Sequence, residues 1–418
     1  MKSKPKVLIA MSGGVDSSVA GLLLKKKGYE VIGAFMKNWS DTKNEFGECS
    51  WKDDRKVAMK IASKLKIPLI TLDFEKEYRR DVISPMFNLY RKGITPNPDV
   101  DCNNKVKFPL LWKAAKKLGA SLIATGHYVR IKKIAGRKNV SNKNKGWVST
   151  NKTFSGVGGW ECQLLRAKDE SKDQSYFLYR LTEKDLEHSL FPIGELTKKQ
   201  VRDIAKKNNF PNFNRKSTVG ICFIGKVNLK DFLQVKIKPK KGKILDPEGK
   251  IIGQHDGIYY YTIGQRIGPR FGIEIEKDVN KGGQIQRWYV AKKILKTNTI
   301  IAAPENHPLL YRKEITIKQP HWINKNPFIK ENKIINLKSS RAGSTIKSSS
   351  RGRTGGKEAI KVLSRIRQVG ELLPSTLKYS NGKYKITLNK PITGVSEGQA
   401  VVLYQGTRVL GGGVISFK

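Results

Sequence analysis

The sequence predicts an α/β protein with a parallel-sheet N-terminal domain, a small helical middle domain and a β-rich, barrel-like C-terminal domain. Over residues 7–130 short β-branched runs alternate with amphipathic stretches, the pattern of a parallel sheet flanked by helices. A helical stretch then runs to about residue 208, and beyond residue 240 Gly and Pro punctuate short strands. A chain of 418 residues is too long for one ordinary domain. The expected division is 1–170, 171–240 and 241–418.

In order, a strand over 7–11 leads to a helix over 17–27, a strand over 31–36, a helix over 53–65 and a strand over 69–72. A helix over 106–118 ends at Gly119 and feeds a strand over 121–125, repeating the helix-to-strand step of a doubly wound sheet. Residues 131–160 hold seven basic residues and no acid among clustered Asn, Gly and Ser, which reads as a mobile insertion. From 171 to 208 the spacing of Val201, Ile204 and Ala205 suits one buried helix face. Strands are expected at 258–263, 288–290 and 401–404. A second insertion, 338–357, holds six Ser, four Gly and six basic residues without an acid, too little apolar surface to offset ordering.

The formal net charge of +46 is of the sign that phosphate backbones attract. It points to nucleic acid, against the plainer explanation of a Lys-rich composition on solvated faces. No apolar run reaches the roughly 18 residues of a membrane span. Four cysteines without a Cys-x-x-Cys pair exclude a disulfide scaffold and a zinc knuckle. The first residues lack the apolar segment of a signal peptide, so a cytoplasmic protein is expected.

Ala10-Met11-Ser12-Gly13-Gly14-Val15-Asp16-Ser17-Ser18 lies where a buried strand turns into a helix. Glycines let the backbone approach a phosphate, hydroxyls add donors, and the helix N-terminus presents free N–H groups. No Gly-Lys-Ser/Thr follows, so the loop is not of the Walker type; it resembles the PP-loop of ATP pyrophosphatases. In Thr95 to Asn104, two prolines join Asp99 to Cys102, three residues on. The following helix start, with Lys105 and Lys107, is expected to lower the Cys102 thiol. Cys222 sits between Gly220 and Gly225, which favours an accessible loop, and a buried small-hydrophobe role stays open.

With Met36-Lys37-Asn38-Trp39, Ala124-Thr125-Gly126-His127-Tyr128, Lys172-Asp173-Gln174-Ser175-Tyr176, Thr262-Ile263-Gly264-Gln265-Arg266, Gly398-Gln399 and Gly411-Gly412-Gly413, the chain resembles the tRNA-specific 2-thiouridylases over nearly its whole length. These enzymes replace the C2 oxygen of the wobble uridine with sulfur. The resemblance implies an adenine nucleotide alpha hydrolase-like, Rossmann-like N-terminal domain. It implies ATP binding by Ala10, Met11, Ser12, Gly13, Gly14, Val15, Asp16 and Ser17, with Met36 and Gly126. Asn97, Pro98 and Asp99 would meet the target base, Cys102 would be the nucleophile and Cys222 the persulfide carrier. His127, Lys172, Asp173, Gln174, Arg365, Ile366 and Gln399 fall on tRNA-contacting positions.

Adenylation turns a poor leaving oxygen into an AMP ester, with Mg2+ expected to neutralise the pyrophosphate. Asp99 is expected to assist proton transfer, although a turn-stabilising Asp explains it nearly as well. The implied partners are wobble-uridine tRNAs, those for Lys, Glu and Gln, and a persulfide donor such as a cysteine desulfurase or sulfur-relay protein. Two departures stand out. Ser217-Thr218-Val219 replaces the usual acidic residue and Ser before Gly220, and Ile366 replaces an aromatic residue between Arg365 and Arg367, both expected at phosphate. The rivals are a PP-loop ligase for a small carboxylate or ureido substrate, which leaves both cysteines idle, and a noncatalytic RNA-binding protein.

Overall fold

The computed structural model describes residues 5–42, 49, 51–135, 160–215, 222, 224, 228–268, 273, 286–328 and 359–417. The first sheet is built from β1 (Lys6–Ala10), β2 (Glu30–Lys37), β3 (Leu69–Asp73), β4 (Leu122–Ala124) and the short strand Ser189–Leu190. Its order is β3-β2-β1-β4 followed by that short strand, and every pairing is parallel. Helices α1 (Val15–Lys26) and α2 (Trp51–Leu65) link the first three strands. Val7 and Ile9 face the core shared with Val19 and Ile61, whereas Leu8 joins Phe108 and Leu111 in the core on the other side. That two-residue alternation between two buried faces is why β1 is apolar throughout. The chain leaves β1 toward β2 on one side while β4 flanks the other, so the loop after β1 opens at the switch point where parallel sheets bind ligands.

The helical middle domain expected from the sequence is corrected to a β unit. Helix Lys198–Lys207 buries Val201 and Ala205 in the core that holds Val7, Ile9 and Val19. A ten-residue helix with one apolar stripe cannot enclose a core alone, and α1 completes it. The middle unit is the five-stranded sheet of Gly242–Leu245, Ile251–His255, Arg266–Ile267, Trp288–Ile294 and Thr299–Pro304.

The C-terminal unit is a closed six-stranded antiparallel barrel, from Tyr311–Trp322 to Arg408–Ser416, sealed by pairing of its first and last strands. Gly412 permits a close seat: a Cβ there would lie 2.2 Å from the Val401 carbonyl oxygen and 3.1 Å from the buried Tyr179 ring. The insertion read at 131–160 is corrected at its edges. Val129–Ala135 and Trp160–Arg166 form an antiparallel hairpin that joins the barrel strand Arg408–Ser416 at Leu165. The remainder, 136–159, lies outside the described residues, as do 338–357 and Ser217-Thr218-Val219. No described helix is long and apolar enough to cross a membrane.

Asp173 bolts the barrel to the first domain. Its buried carboxylate accepts from Arg365 Nη1 at 2.7 Å, Ser175 Oγ at 2.8 Å and the Ala167 amide at 3.0 Å, with Arg166 Nε at 3.7 Å. Asp173→Ala would leave two guanidinium groups buried without their shared anion, a loss of about 3–5 kcal/mol. The expected outcome is a marked fall in thermal midpoint, followed by calorimetry, whereas Lys172→Ala on the exposed neighbour leaves the midpoint nearly unchanged.

Candidate active site

Two constellations occupy the first domain. At the phosphate-type loop, Ser12 Oγ accepts from the Gly14 amide at 3.3 Å, and Ser17 and Ser18 hydroxyls donate to the Gly14 carbonyl at 3.0 and 2.9 Å. Gly14 caps α1 without a side-chain bond, so first-turn N–H groups remain to meet an anion. Gly13 adopts φ +76°, where a Cβ would strike the Asp54 carbonyl. Gly126, in the loop after β4, lies against α1; a Cβ there would sit 2.7 Å from the Ser17 nitrogen. Ala10 ends β1 and Met11 is buried behind the loop, Val15 is buried in α1, and Met36 is buried in β2. Backbone N–H groups, serine hydroxyls and glycines that leave room for close approach make a cradle that fits a polyphosphate.

Several partners of this loop escaped the sequence reading. The Asp16 carboxylate accepts from Lys198 Nζ at 2.6 and 2.8 Å and from the Tyr128 hydroxyl at 2.8 Å. Asn212 Nδ2 donates to the Gly13 carbonyl at 2.8 Å and to Ser18 Oγ at 3.0 Å. Arg215 pairs with Asp54 and reaches the same Gly13 carbonyl. Tyr128 lies in the Ala124 to Tyr128 string, whereas no local motif marks Lys198, Asn212 or Arg215, which approach from up to 202 residues away.

The second constellation is built on sulfur. Asn97 caps the helix Pro98–Asp101 by accepting from the Val100 amide. A π-helical turn, Cys102–Lys107, follows, then the helix Phe108–Lys117 with Pro109 in its first turn. Proline lacks an N–H and its ring crowds the carbonyl four residues back, here that of Lys105, which favours the wider turn. The same arrangement recurs nearby, where π-turn Arg79–Ile83 precedes Pro85. The carbonyl that Pro85 disfavours, that of Asp81, accepts instead from Lys105 Nζ at 3.5 Å. In an α-helix, residues five apart point about 140° away from one another. The i to i+5 turn instead brings Cys102 and Lys107 to one side.

Both meet Cys222, 120 residues from Cys102. Cys102 Sγ lies 3.7 Å and Lys107 Nζ 3.6 Å from Cys222 Sγ. Asp99 Oδ1 accepts from the Cys222 amide at 2.8 Å, and the Tyr78 hydroxyl donates to the Cys222 carbonyl. Cys102 is fully buried and Cys222 half-buried. The expected lowering of the Cys102 thiol by Lys105 and Lys107 is corrected: burial, then its hydrogen bond to Cys222, pushes that thiol well up. The Cys222 thiol is lowered, first by the hydrogen bond from Cys102 and also by the Lys107 charge, against its own burial. Lys105 is turned away toward Asp101, 3.2 Å distant. Burial also raises Asp99 above the ordinary carboxylate range.

The tRNA-contact candidates divide. Lys172 is exposed and Gln174 half-buried, its side-chain oxygen accepting from the Tyr128 amide. The Gln399 side-chain oxygen is buried without a partner among the described residues. Asp173 and Arg365 are committed to one another, and Ile366 is 2 % exposed. The expectation that Arg365 meets phosphate is therefore revised; Arg367 is the exposed arginine of the two. His127 lies in the interior, its ring stacked on Phe108 and its Nδ1 2.7 Å from Thr125 Oγ1. Burial, then the Lys107 charge, holds it well below the usual histidine range.

Three family matches tile the chain: a tRNA methyl transferase HUP domain over 5–226, a tRNA methyl transferase PRC-barrel domain over 230–304 and an aminomethyltransferase beta-barrel domain over 312–415. The middle match agrees with the β unit described above. The chain is 36% identical to the tRNA-specific 2-thiouridylase MnmA of Flavobacterium johnsoniae, over 98% of this chain and 100% of that protein. It is 39% identical to the protein of the same description from Coxiella burnetii strain CbuK_Q154, over 98% and 95%. For that of Vibrio cholerae O395 it is 37% identical, over 99% and 96%.

The buried, neutral His127 makes stability depend on pH. The unfolded chain takes up its proton near pH 6.5 and the folded chain only at a lower pH. Stability is therefore constant in this respect above that value and falls on acidification through it, by up to about 1.4 kcal/mol per pH unit per proton. Denaturant titrations from pH 7 to 5 should show that slope, and His127→Gln should make it shallower by the share of one proton, leaving the part due to His188 and His255, which burial also lowers.

Proposed function

The chain belongs to the tRNA-specific 2-thiouridylase family, and from that premise we propose that it thiolates the wobble uridine of tRNA by a two-cysteine sulfur relay. The observation that carries this reading is the 3.7 Å approach of Cys102 and Cys222 across 120 residues of sequence. ATP is the activating substrate, its phosphates cradled by Ser12 to Ser17 and the close-packed Gly126. Adenylation of the C2 oxygen supplies AMP as leaving group, releasing pyrophosphate. Cys222 carries the terminal sulfur, Cys102 closes onto the Cys222 sulfur, and Asp99 moves the accompanying proton. The Asn97 to Asp99 segment would face the base, with Lys172, Gln174, Arg367 and Gln399 toward the tRNA.

Among the described residues no three His, Cys, Asp or Glu side chains are placed to hold a metal ion together, and Asp16 is already paired with Lys198. We therefore assign Mg2+ to the nucleotide's own phosphates, where it would neutralise the departing pyrophosphate. A methyl-transfer reaction would leave both thiols and the phosphate loop without a use. We assign the substrates to the tRNAs for Lys, Glu and Gln, the sulfur to a cysteine-persulfide donor, and the reaction to the cytoplasm, where a catalytic disulfide stays transient.

Nucleoside mass spectrometry of tRNA incubated with enzyme, ATP, Mg2+ and a persulfide donor tests the reading. The expected product is 2-thiouridine, lost in Cys102→Ser and Cys222→Ser and retained in Cys162→Ser; a methylated nucleoside instead would refute it. Gly126→Ala should weaken ATP binding by about tenfold or more, since its methyl group displaces the start of α1. Isothermal titration with a nonhydrolysable ATP analogue reads that change.

A further inference from the structure

We propose that Lys107 decides which thiol accepts sulfur: its ammonium pairs with the Cys222 sulfur as an anion, while Cys102 is kept as the protonated partner that closes the cycle. The inference rests on the relay above and adds the group that gives the two cysteines different roles. Lys107 and Cys102 share one π-turn, yet both point to the same third sulfur, at 3.6 and 3.7 Å. Cys222 thus has a cation and a thiol donor in contact, whereas Cys102 is 0 % exposed and donates its hydrogen bond away. An anion is stabilised where charge-assisted bonds converge and penalised where burial is complete.

Among the described residues that face Cys222, Lys107 is the cation. Asp99, from the Pro98–Asp101 helix, takes the Cys222 amide and adds opposing negative charge, softened because burial raises its carboxyl. Tyr78 donates to the Cys222 carbonyl, and burial pushes its hydroxyl far up, so it stays protonated. His127, beyond Lys107, is held neutral. Despite its own desolvation Lys107 is pushed up, chiefly by the Cys222 and then the Cys102 sulfur.

The chemistry needs that asymmetry. The Cys222 thiolate attacks the outer sulfur of a donor persulfide. A new S–S bond forms at Cys222, the donor's S–S bond breaks, and the electron pair leaves on the donor thiolate, with no net oxidation. Later the outer sulfur bonds to C2 of the uridine as AMP departs. Cys102 loses its proton and attacks Cys222 Sγ; the bond to the transferred sulfur breaks with its electron pair staying on the thiocarbonyl group. The resulting Cys102–Cys222 disulfide is returned to two thiols by a cellular dithiol reductant. Were Cys102 the more acidic thiol, sulfur would load on the buried side chain.

The test is the pH dependence of iodoacetamide alkylation in the full chain, with Cys102 and Cys222 peptides separated by mass spectrometry. In the wild type Cys222 should react at lower pH than Cys102. Lys107→Met should move the Cys222 profile up by about one pH unit, a roughly tenfold loss of rate near neutrality, and Lys107→Arg should keep the low profile. An unshifted Cys222 profile in a cooperatively folded Lys107→Met protein would overturn the proposal. If that variant does not fold, the wild type still decides: equal labelling, or Cys102 labelled first, overturns it. Thiolation that survives Cys222→Ser would remove the relay while leaving this profile intact, so the two failures are distinguishable.

Discussion

The buried Asp173 carboxylate is the tie on which the arrangement of the protein depends. By holding Arg365 of the barrel and Arg166 of the hairpin at once, it fixes the chain segment that continues into Tyr176. The Tyr176 hydroxyl shares its one proton between the Ala400 and Ile366 carbonyls, 3.0 and 3.2 Å away, and receives a hydrogen bond from Asn97. Asn97 caps the short helix that carries Asp99, and Asp99 holds the Cys222 amide. An ion pair remote in sequence from either cysteine is thus linked by successive hydrogen bonds to the position of the sulfur. The Asp173 carboxylate itself accepts from the Ala167 and Ser175 amides, the Ser175 hydroxyl and Arg365 Nη1, which gives this buried tie its rigidity.

A second constraint acts locally. Two prolines, each following a π-turn, widen two adjoining helices, and Lys105 spans from one to the other. The price is irregular backbone; the gain is that Cys102 and Lys107 share a side. Burial then separates the thiols, raising the one enclosed completely and leaving the half-buried one to its cation.

Much of this was legible in the sequence where the signal is local. Leu8, flanked by Val7 and Ile9, belongs to a run apolar enough to be buried on both faces, and the Ser-Gly-Gly loop after it follows from that placement. The stripe of Val201 and Ala205 announces a helix, but not that α1 completes its core, hence the misplaced helical domain. Arg365 reads as a phosphate contact because its partner Asp173 lies 192 residues away. Lys198 reaches Asp16 across 182 residues. For Cys102 the sign of the shift was not legible, since complete burial is a property of the fold rather than of the neighbouring lysines.

The central claim is that Cys102 and Cys222 form one redox pair in each turnover. It is tested most directly by quenching a single turnover with acid in the absence of reductant, mapping cysteine peptides without reduction, and counting 2-thiouridine in the same sample. The account predicts a peptide cross-linked between residues 102 and 222 in a one-to-one ratio with thiolated tRNA. Thiolated tRNA accompanied by two free thiols would contradict it.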